Sequence, residues 1–239
     1  MSSAPQPVLE DERVLARAAF GTALASLTFA LIFVPLHPHP HTFVHHPLSL
    51  LEQVVRHQRL WLVDHLGIAA TDLSGTASLV FLALLLMATP ARRFAQLALA
   101  SAIATTSLIL AFVALDGFAT RDAALAWQAS GGSTSSASYA VAAGVVRAAD
   151  GVETLGQILF FGLTFALFGV TVLRSGIYPR ALGWAGVAAG SFGIGSGVFR
   201  AVHGTDLLTG TLLGTSGGVS AAWVFAAGYV VWRHSRRTP

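Results

Sequence analysis

Apolar runs recur along the chain and are broken by short polar or proline-containing stretches; 79–87, 97–115 and 158–173 hold no charged residue at all. Such runs predict membrane-crossing helices, because lipid offers backbone N–H and C=O groups no partner but each other. The pattern predicts six spans, at about 13–36, 61–88, 91–116, 145–173, 180–202 and 206–232. The expected fold is all-α, a polytopic membrane helical bundle forming one domain over 13–232. The second and fourth spans exceed what a bilayer needs, so each is expected to tilt or project beyond it. Residues 1–12 are expected to be a disordered tail and 233–239 a basic one.

Composition agrees. Of 239 residues, 54% are hydrophobic and 10% charged, against about 25% charged in a soluble domain. The mean hydropathy is +0.67. All 14 basic residues are arginines. Nine of them, Arg13, Arg17, Arg92, Arg93, Arg174, Arg180, Arg233, Arg236 and Arg237, fall on the side of the termini, and five, Arg56, Arg59, Arg121, Arg147 and Arg200, on the other. The positive-inside rule then makes both termini cytoplasmic. No basic tract of the kind that binds nucleic acid is present. Cysteine is absent, which excludes disulfides, thiolate metal sites and cysteine nucleophiles. The first apolar segment follows Glu10, Asp11 and Glu12 and precedes no small-residue cleavage site, so it reads as a retained helix.

Three outer connections follow: a His-rich loop at 37–47, a flexible Gly/Ser loop at 130–138 and a turn at 203–206. In 48–60, Leu51, Val54 and Val55 oppose Glu52, Arg56 and Arg59, either as an interfacial amphipathic helix or as the projecting start of span two. Segment 117–129 reads as a short extension with Trp127 as an interfacial anchor. Gly186 and Gly190, Gly193 and Gly197, and Gly210, Gly214 and Gly218 stand four apart, a spacing for close helix packing inside the bundle more than for dimerisation. No internal repeat of the transporter kind is visible.

The candidate chemistry lies in the ionisable residues set against apolar stretches. Asp64, His65, Asp72, Asp116, Arg147, Asp150, Glu153, Arg200, His203 and Asp206 come from five segments and all tend toward the outer face. Charge there is costly unless paired or hydrated, so the group is expected to form a polar pocket or an internal ion-pair network. On span four, Arg147, Asp150, Glu153, Thr154 and Gln157 share one helix face. An ion pair between Arg147 and a carboxylate is the structural expectation, and a ligand pocket the functional one. His65 and Asp72 also share a face, but seven residues separate them by about 10.5 Å of rise, so a metal would need donors from several helices. Candidate metal donors are His65, His203 and Glu153, a mixed N/O set that suits a divalent metal, or His37, His39, His41, His45 and His46 of the loop, which reads first as a plain polar loop and otherwise as a metal-scavenging or pH-sensitive one. Haem held by His65 and His203 ranks well below that.

Three elements carry a resemblance: Asp116-Gly117 closing span three with Trp127 downstream, Arg147-x-x-Asp150-x-x-Glu153, and Arg174-Ser-Gly-Ile-Tyr-Pro-Arg-Ala-Leu-Gly-Trp-Ala-Gly186. Over roughly 110–190 the chain resembles a family of small multipass bacterial membrane proteins of unknown function. The resemblance implies the multipass fold and a bacterial plasma membrane, and no activity. Physically, the third element sets topology: Pro179 opens a helix, Arg174 and Arg180 mark the boundary and Trp184 anchors it.

Two functional classes stay open at this point. One is a non-enzymatic membrane protein whose outward pocket binds a small ligand or metal ion, or chiefly holds the bundle together. The other is an intramembrane enzyme acting on a lipid or isoprenoid, with Asp72, Asp150 or Glu153 as general acid or base. The expected partners are membrane lipid and a small apolar or amphipathic ligand; oligomeric state is open. From the arginine asymmetry, reporter fusions at Thr42 and Ser135 are expected to read outside, and a cytoplasmic signal at either would overturn the six-span topology.

Overall fold

A computed structural model describes residues 10–37 and 47–237. Among these residues the chain is helical and contains no strand. Helix α1 spans Glu10–Phe33, α2 Pro47–Arg56, α3 Gln58–Leu86 and α4 Arg92–Val113. A π turn, Ala114–Ala119, joins α4 to α5, Thr120–Ala129; a second, Gln157–Thr164, joins α6, Ala137–Gly156, to α7, Phe165–Ser175. Helices α8, Arg180–His203, and α9, Leu207–Ser235, complete the chain. Segment 117–129 is therefore no separate extension: Arg92–Ala129 and Ala137–Ser175 are continuous rods of 38 and 39 residues, and the fourth begins eight residues before its expected start.

Among the described residues, five helices are long and apolar enough to cross a membrane: Glu10–Phe33, Gln58–Leu86, Arg92–Ala129, Ala137–Ser175 and Arg180–His203. Helix α9, at 29 residues, matches α3 in length and carries frequent Gly, Ser and Thr. Helix boundaries follow local chemistry. Ser136 caps α6 by accepting from the Tyr139 N–H, and Gly176 ends α7 at φ 72°, a left-handed conformation that suits glycine. Asp206 and Thr209 cap α9 reciprocally.

The rods pack in chain order as a ring, α1 on α3, α3 on α4, α4 on α6 and α7, α7 on α8, α8 on α9, and α9 back on α1. Its interior uses small side chains: Ala19, Ala23, Ala95, Ala98 and Ala102 are fully buried, whereas Leu31, Val141, Val202 and Leu97 stand exposed. An apolar exterior over a small-residue interior is how helices meet lipid and each other. Hydroxyls bridge the helices inside: Thr76 and Thr106 lie 2.7 Å apart, Ser101 and Thr164 2.8 Å, and Ser78 donates to the Ala19 carbonyl.

Backbone meets backbone where α8 crosses α7 and the second π turn. A Cβ at Gly190 would stand 2.3 Å from the Ala166 nitrogen, one at Gly169 2.4 Å from the Val187 nitrogen and one at Gly193 2.5 Å from the Phe161 carbonyl oxygen. Gly186, Gly190, Gly193 and Gly197 pack inside the bundle as their spacing predicts. On α9 the expectation is corrected, since a Cβ at Gly214 or Gly218 meets nothing within 4 Å. A smaller cluster, Leu50, Leu51, Val54, Trp61, Ala124, Trp127, Ala142 and Val146, joins α2, α5 and α6 into a cap at one end. The apolar face of α2 and the Trp127 ring are thus buried in protein, and Trp127 is no interfacial anchor.

Because α7 and α8 touch through backbone, Gly190→Leu is expected to destabilise the protein by at least about 2 kcal/mol through overpacking, while Gly214→Leu stays within about 0.5 kcal/mol. Thermal unfolding in detergent measures both.

Candidate functional site

The two ends of the bundle differ. Where α1 begins and α9 ends, Glu12, Leu85, Thr89, Tyr178, Val231 and His234 help line a cavity of about 230 Å³. The ionisable residues gather at the opposite end, under the cap.

Their arrangement starts with the first turns of α3, where Trp61, Asp64 and His65 lie within one helical turn of each other. His65 is fully buried and packs against Gly117, where a Cβ would come within 2.7 Å of the His65 Cβ. Gly117 lies in the first π turn, whose wide geometry sends the Thr120 N–H to the Leu115 carbonyl, five residues back. Trp61 donates its indole N–H to the Asp116 carbonyl at 3.0 Å. The Asp116 carboxylate in turn lies 3.0 Å from His65 Nε2. His65 Nδ1 faces the Trp61 carbonyl at 2.7 Å, a contact that requires Nδ1 to carry a proton and donate. Nε2 is therefore the nitrogen left to share a proton or cation with Asp116.

His37, in the turn after α1, completes this group. Its Nδ1 lies 2.6 Å from Asp64 Oδ2, and its ring stands edge-on to His65 with centroids 5.1 Å apart. Burial of the His37 ring opposes protonation, but the hydrogen bond to Asp64 and the charges of Asp116, Asp64 and Glu153 outweigh it and hold its pKa above the ordinary 6.5. The Asp64 side chain is wholly buried, and its other oxygen, Oδ1, has no hydrogen-bond partner among the described residues.

A second group joins α6 to α8. Arg200 Nη2 lies 2.5 Å from both Asp150 Oδ1 and Glu153 Oε2, and the Thr205 hydroxyl donates to the same Asp150 oxygen. Arg200 is 4% exposed, and its Nε and Nη1 are buried without partners. One turn deeper, Gln157 donates to Ser196 at 2.8 Å. The charge of Glu153 acts on His37, so the two groups lie within electrostatic reach of one another. Together they set four carboxylates, Asp64, Asp116, Asp150 and Glu153, against one guanidinium and two imidazoles.

Compared with protein-family models, with curated proteins and with solved structures, the chain gives no match.

Of the residues singled out from sequence, Asp64, His65, Asp116, Asp150, Glu153 and Arg200 come together. Four do not. Arg147 is exposed and makes no ion pair among the described residues; α6 turns it outward, and Arg200 takes the role expected of it. His203 is exposed and stacked on Phe199, its Nδ1 on the Phe199 carbonyl, so it does not meet buried His65 as paired haem ligation requires. Asp206 is exposed and spends its carboxylate on capping, and the Thr209 N–H and hydroxyl hold its pKa below the usual carboxylate value. Asp72 lies half-buried, deeper along α3, with no hydrogen bond among the described residues. His39, His41, His45 and His46 lie outside the described residues.

Arg200→Met would strand two carboxylates and is expected to cost about 3–5 kcal/mol, part of it recovered when Asp150→Asn and Glu153→Gln are added. Arg147→Ala is expected to stay within about 0.5 kcal/mol. Unfolding in detergent distinguishes the two arginines.

Proposed function

We propose that the chain crosses a bacterial plasma membrane six times with both termini cytoplasmic, and that its outward end binds a small cation. The arginine distribution supports the orientation. The resemblance over 110–190 supports the bacterial setting. The observation that carries the binding reading is Asp64: a wholly buried carboxylate with one oxygen unpartnered among the described residues, inside a group in which carboxylates outnumber the guanidinium and imidazoles. Such a carboxylate is stable only when a proton or a cation satisfies it.

The enzyme alternative, acid/base chemistry on a lipid or isoprenoid, loses Asp150 and Glu153, because both are bound to Arg200. Asp72 remains its one support, as a carboxylate in a membrane-crossing helix with no protein hydrogen bond among the described residues. The purely structural reading accounts for Arg200 but leaves the Asp64 oxygen unexplained.

The test is a thermal-shift series on the full chain in nanodiscs with Mg²⁺, Ca²⁺, Mn²⁺, Zn²⁺ and choline. At least one cation is expected to raise Tm, and the rise is expected to vanish when Asp64→Asn, Asp116→Asn and Glu153→Gln are combined. No shift with any cation, or a shift that survives the triple change, would overturn the reading.

A further inference from the structure

The donors beside Trp61 have a more specific chemistry than their charge. His37, Asp64 and His65 each offer one ligand atom, and the three atoms lie within 4.8 Å of one another. They reach the same point from two elements, the turn after α1 and the first turns of α3. Two imidazoles with carboxylate oxygen and no thiolate are the donor set of borderline first-row divalent ions; Mg²⁺ and Ca²⁺ prefer oxygen throughout.

The surroundings of His65 match a ligand's needs. A metal-binding histidine commonly donates its second ring N–H to a carbonyl or carboxylate, which fixes the ring and its tautomer. Here the Trp61 carbonyl takes Nδ1, and Nε2 faces Asp116. Oδ1 of Asp64, wholly buried and without a partner among the described residues, is an independent sign of a missing partner, since buried polar atoms are ordinarily satisfied.

We propose that His37, Asp64 and His65 form a binding site for a first-row divalent cation of the zinc type. The proposal rests on the cation-binding reading above and names its cation and ligands. Tetrahedral bonds of about 2.0–2.2 Å set neighbouring donor atoms roughly 3.3 Å apart. His37 and Asp64, at 2.6 Å, open by less than roughly 1 Å when the ion replaces their hydrogen bond. Since His37 follows α1 while Asp64 and His65 lie on α3, the ion ties the turn after α1 to α3.

The experiment uses the full chain in nanodiscs, stripped with chelator and titrated with Co²⁺ as a spectroscopic probe and with Zn²⁺, with bound metal counted by elemental analysis. One equivalent is expected, with a visible Co²⁺ absorption band of mixed nitrogen and oxygen ligation. His65→Ala, Asp64→Asn and His37→Ala are each expected to weaken binding by more than about a hundredfold, because removing a ligand costs at least what removing its supporting partner does. His37 lies in a turn outside the helices, so its variant tests the site even where changes within α3 disturb folding. Replacing His39, His41, His45 and His46 together by alanine is expected to leave the band unchanged.

Metal that is lost with those four loop histidines, or that is unaffected by His37→Ala and His65→Ala, would overturn the proposal. So would the absence of any Co²⁺ or Zn²⁺ uptake. In each case a thermal shift by another cation that depends on Asp64, Asp116 and Glu153 would leave the broader reading standing, and loss of that shift as well would remove both.

Discussion

Arg200 reaches across from α8 to two carboxylates of α6, and the outer half of the bundle is arranged around that contact. A guanidinium in an apolar interior is costly unless its charge is met at close range, and removing either side of such a pair leaves an uncompensated charge. The contact depends on α8 lying backbone to backbone against the chain that follows α6, which the glycines at 169, 183, 186, 190 and 193 permit. Bulkier residues there would separate the helices, and the arginine would no longer reach. Gln157 and Ser196 repeat the same connection one turn deeper, so polar side chains fix the register of two helices whose apolar surfaces alone would let them slide.

The two π turns do related work. Each adds a wide turn to a long rod, and each lies where a polar group must reach sideways. The first presents the Asp116 carbonyl to Trp61 and the Asp116 carboxylate to His65, with Gly117 leaving room for the imidazole. The second begins at Gln157 and ends at Thr164, whose hydroxyl bonds the Leu159 carbonyl five residues back and approaches Ser101 and Thr105 on α4. In both cases a local departure from α geometry redirects polar groups to side chains of neighbouring helices.

Much of this was legible in the apolar pattern, because length and hydrophobicity alone determine which segments suit lipid. The helical rods, the small-residue crossing of α8 and the gathering of Asp64, His65, Asp116, Asp150, Glu153 and Arg200 follow from it. The pairing partners were not legible. Arg147 and Arg200 are equally plausible on sequence spacing, since Arg147 is one turn from Asp150 while Arg200 is 50 residues away; the choice is made by how α6 is rotated, which neighbouring helices decide. His37 was grouped with its loop by composition, yet its place immediately after α1, opposite the start of α3, brings it to Asp64. Trp61 carried a weaker signal: four residues before His65, it stands on the same helix face and holds that ring through its carbonyl. Trp127 and the apolar face of α2 suited a membrane interface equally well, and only the cap formed with α5 and α6 shows that protein covers them.

The two halves of the site also constrain one another. Arg200 engages two of the four carboxylates, and the negative charge of Glu153 still reaches His37. A cation placed among His37, Asp64 and His65 would therefore gain from the field of the second pair as well as from its own ligands, since bound cations act on every charge around them and not only on those they touch. Neutralising Asp150 or Glu153 would weaken that field and free Arg200 to repel the ion. Arg200 is thus more than a brace for α6: by how completely it is held by its two carboxylates, it sets how strongly the neighbouring imidazole and carboxylate group attracts positive charge.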